Sequence, residues 1–239
     1  MIKAIKKNNS LYDRFSKKGF YPTHVAEVGV YHPETSTIYE YLQNDVRCTL
    51  VEPDPSSISL IKDKFKNNKH LTLYEVAIFD YNGYLELIKK DASSFVSEME
   101  HSPARINDDV IINKADRFRV ESKTFDQIDD GTIDLLSVDV EGCEWFVIKH
   151  MISQPHIISL ETHGGIYINP YIKEILDWMS ENKYVIYYKT KSDTIFVQKE
   201  KFEILFKDKL NLLISNILIS SIRIKKKLKK SFMSHYNTE

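Results

Sequence analysis

The chain has 239 residues, of which 42% are hydrophobic and 28% are charged, enough for one substantial core and too few for two α/β domains of ordinary size. Two cysteines allow at most one disulfide, which is too few to stabilise a chain of this length. Neither a signal peptide nor an apolar run long enough to span a membrane is recognisable. We therefore expect a cytoplasmic protein. The net charge of −1 conceals basic ends on an acidic body, and an acidic body is a poor binder of nucleic acid.

The uneven charge divides the sequence into three parts. Residues 1–18 carry six bases and one acid, and residues 201–239 carry nine bases and three acids. We therefore predict a basic N-terminal helix over 1–18, a main domain over 19–200 and a basic amphipathic helix over 201–239.

Within the main domain, short β-branched runs alternate with stretches of helical period, as in βαβ units. Only four residues separate the last two predicted strands, which must therefore form an antiparallel hairpin. The sequence predicts a Rossmann-like α/β fold, a mostly parallel seven-stranded sheet that ends in this hairpin and has helices on both faces. The predicted strands are Thr23–Val28, Arg47–Val51, Leu71–Val76, Ile133–Asp139, Ile157–Glu161, Tyr184–Lys189 and Thr194–Gln198. The predicted helices are Glu34–Gln43, Pro55–Asn67, Cys143–Met151 and Asn169–Asn182.

Residues 82–123 interrupt this alternation. A short strand is predicted at Tyr84–Ile88, and the polar stretch Asp91–Lys123 shows no sustained period. Long irregular segments within compact domains are usually functional. We expect a lid on the substrate side, in which Arg105, Asn107 and Lys114 help to select the substrate that accepts the transferred group.

The ends of the first two strands carry a nucleoside-binding pattern. Gly29 follows the first strand and would let a ligand approach the backbone, and Glu52 follows the second strand, where a carboxylate accepts hydrogen bonds from ribose hydroxyls. A dinucleotide site needs glycines and bases around a diphosphate, yet the loop after Glu27 offers Pro33 and Glu34 and has no Lys or Arg up to Ser36. S-adenosylmethionine has no phosphate and carries two cationic groups, so it suits an acidic pocket. A plain strand end with a turn glycine is the alternative.

Four segments stand out at the ends of the predicted strands: Glu27-Val28-Gly29, Val51-Glu52-Pro53, Val76 to Asp80 and the run Asp134 to Glu144, whose most specific part is Asp139-Val140-Glu141-Gly142-Cys143-Glu144. Together they resemble the FkbM-type O-methyltransferases. The resemblance covers about Thr23 to Lys199, and the family usually has a second glycine at the position of Pro33. It implies a class I methyltransferase fold and methylation of a hydroxyl on a sugar, polyketide or related metabolite. Attachment of the basic C-terminal segment to a membrane would fit an acceptor in surface-glycan biosynthesis.

The resemblance also implies where S-adenosylmethionine binds. It places Glu27, Gly29 and Tyr31 around the methionine part, Glu52 on the ribose and Ala77 beside the adenine. Three further residues complete the predicted cofactor-binding set, namely Ser36, Pro53 and Asp139.

Methyl transfer to an alcohol needs a group that takes the hydroxyl proton. Asp139 follows the fourth strand, and Glu161 and His163 follow the fifth, so all three are predicted catalytic residues, with His163 as the leading base. A surface histidine bonded to its surroundings is the alternative. Asp139 and Glu161 also form a candidate Mg²⁺ site, since carboxylates are the ligands that this cation prefers.

The C-terminal segment has apolar residues at steps of three and four from Phe206 onward and a run of lysines at 225–230. A basic amphipathic helix can bind an anionic membrane surface, and the alternatives are packing on the domain or on a second copy.

Two other functions compete with methyl transfer. One is a nicotinamide-dependent, sugar-modifying oxidoreductase, against which the acidic, glycine-poor loop argues. The other is a non-catalytic Rossmann-like module recruited to a membrane.

Overall fold

The computed structural model describes residues 10–90, 93–97, 99, 102–108 and 116–236. The strands are β1 His24–Val28, β2 Arg47–Val51, β3 Leu71–Tyr74, β4 Ala77–Ile78, β5 Gly83–Lys90, β6 Ser93–Val96, β7 Arg117–Lys123, β8 Leu135–Val138, β9 Ile157–Glu161, β10 His163–Gly164, β11 Tyr167–Ile168, β12 Tyr184–Lys189 and β13 Asp193–Gln198. The helices are α1 Leu11–Ser16, α2 Tyr39–Leu42, α3 Pro55–Lys64, α4 Pro103–Asp108, α5 Glu144–Lys149, α6 Ile172–Glu181 and α7 Phe206–Tyr236.

The main sheet has seven strands in the order β12-β13-β9-β8-β1-β2-β3. Neighbouring strands are parallel except that β13 is antiparallel to both β9 and β12. The predicted fold class is therefore confirmed, including the terminal hairpin. The chain runs outward from β1 to β3 and returns to β8 on the other side of β1, so the strand order reverses between β1 and β8. Open α/β sheets bind ligands beside such a reversal, at the carboxyl ends of the strands.

The sheet is buried on both faces because successive strand side chains alternate between two apolar clusters. Val25 and Leu135 pack with α1, α2 and α3 on one face. Ala26 and Leu136 pack with α5 and α6 on the other. Near-continuous apolar runs are typical of strands in this position, and they are the reason that these strands could be predicted.

A second sheet occupies much of the segment that was expected to be an irregular lid. Its four strands have the order β4-β7-β5-β6, and residues 83–88 of β5 pair antiparallel with residues 117–122 of β7. The prediction of an irregular stretch at Asp91–Lys123 is wrong here, since Arg117–Lys123 is a strand with Val120 and Ser122 buried and charged residues between them. This sheet packs its inner side on Cys143 and Phe146.

Of the three residues predicted to select the acceptor, Arg105 is the one whose side chain the structure describes. The guanidinium of Arg105 donates to the carbonyl of Ser97 at 2.8 Å and lies 5.5 Å from the ring centre of Phe95, so it secures the segment itself. Asn107 falls within α4. Lys114 lies outside the described residues.

The predicted helix at Glu34–Gln43 is also wrong. The segment forms a 3-10 turn at Pro33–Thr35 and then the short helix α2, with Ser36 between them in an extended conformation. The backbone N–H of Thr37 donates to the Glu27 side chain at 2.7 Å instead of to a helical carbonyl. A buried side chain has thus replaced the helical hydrogen bond at this point.

The two ends of the chain differ. Of the segment predicted as a basic N-terminal helix, residues 1–9 lie outside the described residues, and α1 begins after Ser10, whose hydroxyl caps Asp13. At the other end, α7 runs for 31 residues and lies beside β12. Within the described part of the chain, no helix combines the length and apolar character needed to cross a membrane.

Candidate active site

A cavity of about 290 Å³ opens at the carboxyl ends of β1, β2 and β8, where the strand order reverses. We call it the strand-end cavity. Its volume is close to the lower limit of small-molecule sites, roughly 300 Å³. The second sheet closes one side of it. The lining residues are Glu27, Val28, Gly29, Val30, Tyr31, Thr35, Thr37, Val51, Glu52, Pro53, Ser57, Val76, Ala77, Ile78, Leu87, Ser94, Val96, Asp139, Val140, Glu141 and Cys143.

Seven of the eight residues predicted to bind the cofactor line this cavity, so the structure brings them together. They are Glu27, Gly29, Tyr31, Glu52, Pro53, Ala77 and Asp139. The exception is Ser36, which is buried behind the wall and whose hydroxyl donates to the Glu27 carboxylate.

Gly29 is required by a close approach between two parts of the backbone. Its φ is +82°, and a Cβ atom on it would lie 1.8 Å from the carbonyl oxygen of Asp139. The N–H of Gly29 donates to the carbonyl of Val51, and the N–H of Asp139 donates to that of Val28, both at 2.9 Å. The sequence predicted glycine for the approach of a ligand, whereas the structure shows that protein backbone already fills this space.

Glu52 organises the loop after β1. One carboxylate oxygen accepts the backbone N–H groups of Val30 and Tyr31, and the other accepts that of Asp54, each at 2.9 Å. Tyr31 has a φ of +55°, and this left-handed conformation lets consecutive N–H groups converge on one oxygen. Burial raises the pKa of Glu52, and the three hydrogen bonds oppose that rise. The loop that lacks the family's second glycine is therefore held by a carboxylate.

Glu27 fixes the wall of the cavity that contains Thr35 and Thr37. Its carboxylate accepts the hydroxyl of Ser36 and the N–H of Thr37, and only 3% of the residue is exposed. Burial raises the pKa of Glu27 to about 7, although these hydrogen bonds favour the charged form. Glu27 is therefore a group that titrates near neutrality inside the site.

The second sheet provides an apolar surface opposite these acids. Ala77 and Ile78 of β4, Leu87 of β5 and Val96 of β6 line the cavity and are almost fully buried. Ala77 was predicted to lie there. Leu87 and Val96 were not, because the sequence predicted a lid in this segment without showing which of its side chains would face the cavity.

Three carboxylates meet at the edge of the strand-end cavity, and we call them the acidic cluster. Oxygens of Asp139, Glu144 and Glu161 all lie within 4.8 Å of one another. Asp139 is accessible from the cavity, Glu161 is half-buried and Glu144 is fully buried. Oε2 of Glu161 is buried and, within the described residues, has no hydrogen-bond partner.

Close packing of acids changes their protonation. The protein atoms around Asp139, followed by the charges of Glu141 and Glu144, raise the pKa of Asp139 well above its ordinary value, even though its side chain is accessible. Desolvation and the charge of Asp139 raise the pKa of Glu161 in the same way. Three carboxylates this close together cannot all be ionised unless a cation binds among them. Without a cation, at least one of them holds a proton.

Glu144, the last residue of the most specific family-like segment, is fully buried within the acidic cluster. One carboxylate oxygen accepts the N–H groups of Val140 at 2.9 Å and Gly142 at 3.3 Å, and the other accepts the side-chain amide of Asn169. Burial raises the pKa of Glu144 to about 7. Asn169 has no signal in the sequence, because its contact is set by the short β10–β11 hairpin that precedes it.

His163 does not line the strand-end cavity. Its Nδ1 lies 2.8 Å from the hydroxyl of Thr162, and its Nε2 lies 3.3 Å from the carbonyl of Thr190. Burial, followed by the charge of Lys189, lowers its pKa. It borders a separate groove between the β12–β13 hairpin and α7. Of the three predicted catalytic residues, the structure brings together Asp139 and Glu161 and leaves His163 apart.

The charge of the cavity has one sign. Among the described residues that line it, Glu27, Glu52, Asp139 and Glu141 are acidic, and none is Lys, Arg or His. Such a lining favours a cationic ligand over one with a diphosphate.

A second groove shares the wall formed by Thr35 and Thr37. We call it the hydroxyl-rich groove, because most of its lining side chains carry a hydroxyl or a carboxylate and none, among the described residues, is basic. It is lined by Ser10, Leu11, Glu34, Thr35, Ser36, Thr37, Tyr39, Glu40, Ser159, Tyr188, Thr190, Asp193 and Ile195.

Solved structures similar to this chain include several methyltransferases. The ribosomal protein L11 methylase of Lactobacillus delbrueckii subsp. bulgaricus has 10% sequence identity and a TM-score of 0.43, covering 77% of this chain and 74% of its own. The precorrin-6y C5,15-methyltransferase of Geobacter metallireducens has 13% identity and a TM-score of 0.39, covering 80% and 90%. Aeropyrum pernix fibrillarin, solved with natively bound S-adenosyl-L-methionine, has 10% identity and a TM-score of 0.39, covering 73% and 65%.

No curated protein sequence matches the chain significantly. The model of the FkbM methyltransferase domain, by contrast, matches residues 26–186, which include β2, β3, β8 and β9, most of β1 and the start of the terminal hairpin. This match confirms the resemblance seen in the sequence, and the chain belongs to the FkbM methyltransferase family.

Proposed function

We propose that the protein is an S-adenosylmethionine-dependent O-methyltransferase that acts on a hydroxyl of a saccharide or related metabolite, in the setting of surface-glycan biosynthesis. The observation that carries the proposal is the strand-end cavity, which is lined by four acids and no base among its described residues. S-adenosylmethionine carries an ammonium and a sulfonium and has no phosphate, so it suits such a lining. The diphosphate of a nicotinamide dinucleotide would face carboxylates at close range.

The residues of the cavity fit the parts of this cofactor. Ala77, Ile78 and Leu87 provide an apolar surface for the adenine ring. Glu52 has about four acceptor positions on its carboxylate and uses three of them for backbone N–H groups, which leaves about one for a ribose hydroxyl. The sequence suggested that Glu52 bonds two ribose hydroxyls, and we revise that expectation to one. Glu27 and Asp139 would face the cationic end, and a bound cation would favour their charged forms over the protonated forms that burial favours.

The chemistry requires a proton acceptor next to the reacting hydroxyl. S-adenosylmethionine, when bound, supplies an activated methyl group on its sulfonium. The acceptor oxygen forms the new bond to carbon as the sulfur–carbon bond breaks, and the hydroxyl proton must leave. Asp139 is accessible from the cavity and has a raised pKa, which makes its carboxylate a stronger base than an ordinary one. We assign to Asp139 the role of accepting the proton of the acceptor hydroxyl. Glu161 and Glu144 would then share this proton within the acidic cluster.

A divalent cation such as Mg²⁺ is the alternative occupant of the acidic cluster. Carboxylate oxygens are its preferred ligands, and the buried Oε2 of Glu161 lacks a hydrogen-bond partner within the described residues. Asp139, Glu144 and Glu161 would hold it, and it would polarise the acceptor hydroxyl. If turnover survives EDTA, the acidic cluster works with a shared proton. If EDTA abolishes turnover and Mg²⁺ restores it, the cluster binds a cation.

The hydroxyl-rich groove supports a neutral, polyhydroxylated acceptor. It meets the strand-end cavity at Thr35 and Thr37, and its hydroxyls and carboxylates can exchange hydrogen bonds with sugar hydroxyls. Tyr39 and Tyr188 add aromatic surface. A phosphorylated acceptor would find no basic partner among the described residues of this groove.

Calorimetry with S-adenosylmethionine and with NAD tests the cofactor directly. We expect binding of the first and none of the second. Absence of S-adenosylmethionine binding by the folded protein, or preference for NAD, would overturn the proposal and favour the non-catalytic module or the oxidoreductase.

Two variants test the assignment of the base. With a panel of neutral mono- and disaccharides as acceptors, and with release of S-adenosylhomocysteine as the readout, Asp139→Asn should lose turnover while the protein stays folded. His163→Gln is the matched control, because its nitrogens contact Thr162 and Thr190 outside the cavity. Loss of turnover in His163→Gln alone would return the role of base to the histidine.

A further inference from the structure

The helix α7 has one side on the domain and the opposite side in solvent. The side toward the domain consists of residues spaced three or four apart that are partly covered, namely Leu212, Ser215, Asn216, Ile219 and Arg223. With 3.6 residues per turn, these positions lie along one line of the helix, which is the line beside β12. Any residue half a turn away from that line faces outward.

The outward side of α7 is apolar. Phe206 is 81% exposed, Ile217 is 57% exposed and Ile224 is 60% exposed. Together with four other exposed apolar residues they form a line opposite the covered side, interrupted at Ser220 and Ser221, which we call the α7 stripe: Phe206, Leu210, Leu213, Ile214, Ile217, Ile224 and Leu228. No other part of the described chain covers these side chains. A patch of this kind usually marks a site of association.

Lysines border the α7 stripe on both sides. At 100° per residue, Lys207 and Lys225 lie along one edge, and Lys209 and Lys227 lie along the other. All four are exposed. From 206 to 236 the sequence has a single acid, Asp208, and this residue lies on the domain side, where it accepts the N–H of Leu205 at 3.0 Å and faces Lys18 at 3.8 Å.

The charge of these edges identifies the kind of surface that the stripe binds. Two copies of α7 that met along their stripes would bring lysine edges against lysine edges, with no acid on the outward side to separate them. A membrane rich in anionic lipid has the opposite charge, and a lysine stem can lie along apolar surface while its ammonium reaches a phosphate. Because the helix is not apolar enough to span a bilayer, it would lie in the plane of the interface.

We infer that α7 is a peripheral membrane anchor, in which the α7 stripe enters the interface of an anionic membrane and the flanking lysines bind lipid phosphates. The contact uses a side of the helix remote from β12, so the domain can keep its structure on binding. It is also independent of the proposed cofactor, so failure of one proposal does not imply failure of the other.

The experiment is co-sedimentation of the full chain with vesicles of phosphatidylcholine alone and of phosphatidylcholine with phosphatidylglycerol. We expect binding only to the anionic vesicles, and weaker binding as salt is raised. Ile217→Glu should reduce the partition coefficient by roughly tenfold or more, because it places a charge in the middle of the apolar surface. Asn211→Glu is the matched control, since it adds the same charge to an exposed position off the stripe.

A second pair of variants tests the contribution of the flanking lysines to vesicle binding. Lys225→Gln with Lys227→Gln removes two charges from the edges of the stripe and should weaken binding to anionic vesicles roughly tenfold. Lys66→Gln with Lys69→Gln removes two exposed charges elsewhere and should change it little. All four positions are exposed, so circular dichroism should show unchanged folding.

Three results would overturn the inference. The first is no binding of the wild-type chain to anionic vesicles, and the second is equal binding by Ile217→Glu and Asn211→Glu. The third is a dimer in solution, seen by light scattering, that Ile217→Glu converts to a monomer while vesicle binding is unaltered, which would assign the stripe to a second copy.

Discussion

A position can require glycine because its φ is positive or because there is no space for a Cβ atom. Comparing Gly29→Ala with Gly131→Ala separates these two reasons. Gly29 and Gly131 have the same φ, +82°. At Gly131 the nearest atom to an added Cβ is a methyl carbon of Ile152 at 3.6 Å, an ordinary contact, whereas at Gly29 it is the Asp139 carbonyl oxygen at 1.8 Å. Gly131→Ala therefore introduces only the strain of a left-handed alanine, and Gly29→Ala introduces that strain and a collision.

The expected magnitudes differ accordingly. A left-handed alanine costs about 1–2 kcal/mol, so Gly131→Ala should lower the free energy of unfolding by that amount. Overpacking adds about 1–3 kcal/mol, so Gly29→Ala should lower it by about 2–5 kcal/mol. The collision must push β1 away from the loop after β8, which disturbs the 2.9 Å bond from the Asp139 N–H to the Val28 carbonyl. Affinity for S-adenosylmethionine should fall as well, because both sides of this contact line the cavity.

Urea unfolding of the two variants and calorimetry with S-adenosylmethionine provide the measurements. Equal losses of stability in Gly29→Ala and Gly131→Ala would refute the reasoning, since the contact with Asp139 would then have no energetic effect.

Three further predictions concern side chains of the site. Glu52→Ala should weaken S-adenosylmethionine binding by about 1.5–3 kcal/mol in calorimetry, and an unchanged affinity in a folded variant would exclude the ribose contact. The pKa of Glu27 rises from 4.5 to about 7 on folding, so the folded state binds the proton more tightly and stability should fall as the pH rises from 4.5 to 7, with no further loss above it. The full decrease in the free energy of unfolding is about 3 kcal/mol. In urea unfolding measured between pH 4.5 and 7, Glu27→Gln should lack this decrease. The same pH dependence in Glu27→Gln and in the wild-type chain would contradict the raised pKa of this buried acid. Asp193→Asn should raise the KM for a saccharide acceptor and leave S-adenosylmethionine affinity unchanged, because Asp193 lines only the hydroxyl-rich groove, and a change in cofactor affinity would argue against this division.

The main sheet could be predicted because its strands are buried on both faces. Arg47–Val51, Ile157–Glu161 and Tyr184–Lys189 have the bounds that the sequence suggested. The strand Arg117–Lys123 was missed for the opposite reason. It alternates charged and inward-facing residues on a half-exposed sheet, and its inward side has only two apolar residues, Phe118 and Val120, so the period of two is short.

The position of side chains in the site was harder to predict than the position of their strands. Placing Glu27 and Glu52 at strand ends was enough to bring them to one cavity. The local sequence could not show that Ser36 turns toward Glu27, since this contact depends on where a broken helix restarts. Nor could it show that Thr162 and Thr190 would surround the ring of His163, because Thr190 belongs to the distant hairpin.

The wall formed by Thr35 and Thr37 has a consequence for altering the range of acceptors. Both residues face the strand-end cavity on one side and the hydroxyl-rich groove on the other, and Glu27 holds the segment from beneath. Substitutions in this wall should therefore change the KM of both reactants together, so selection for a new acceptor would be opposed by loss of cofactor. Libraries that spare the wall and vary Tyr39 and Tyr188, which line the groove and not the cavity, avoid this conflict.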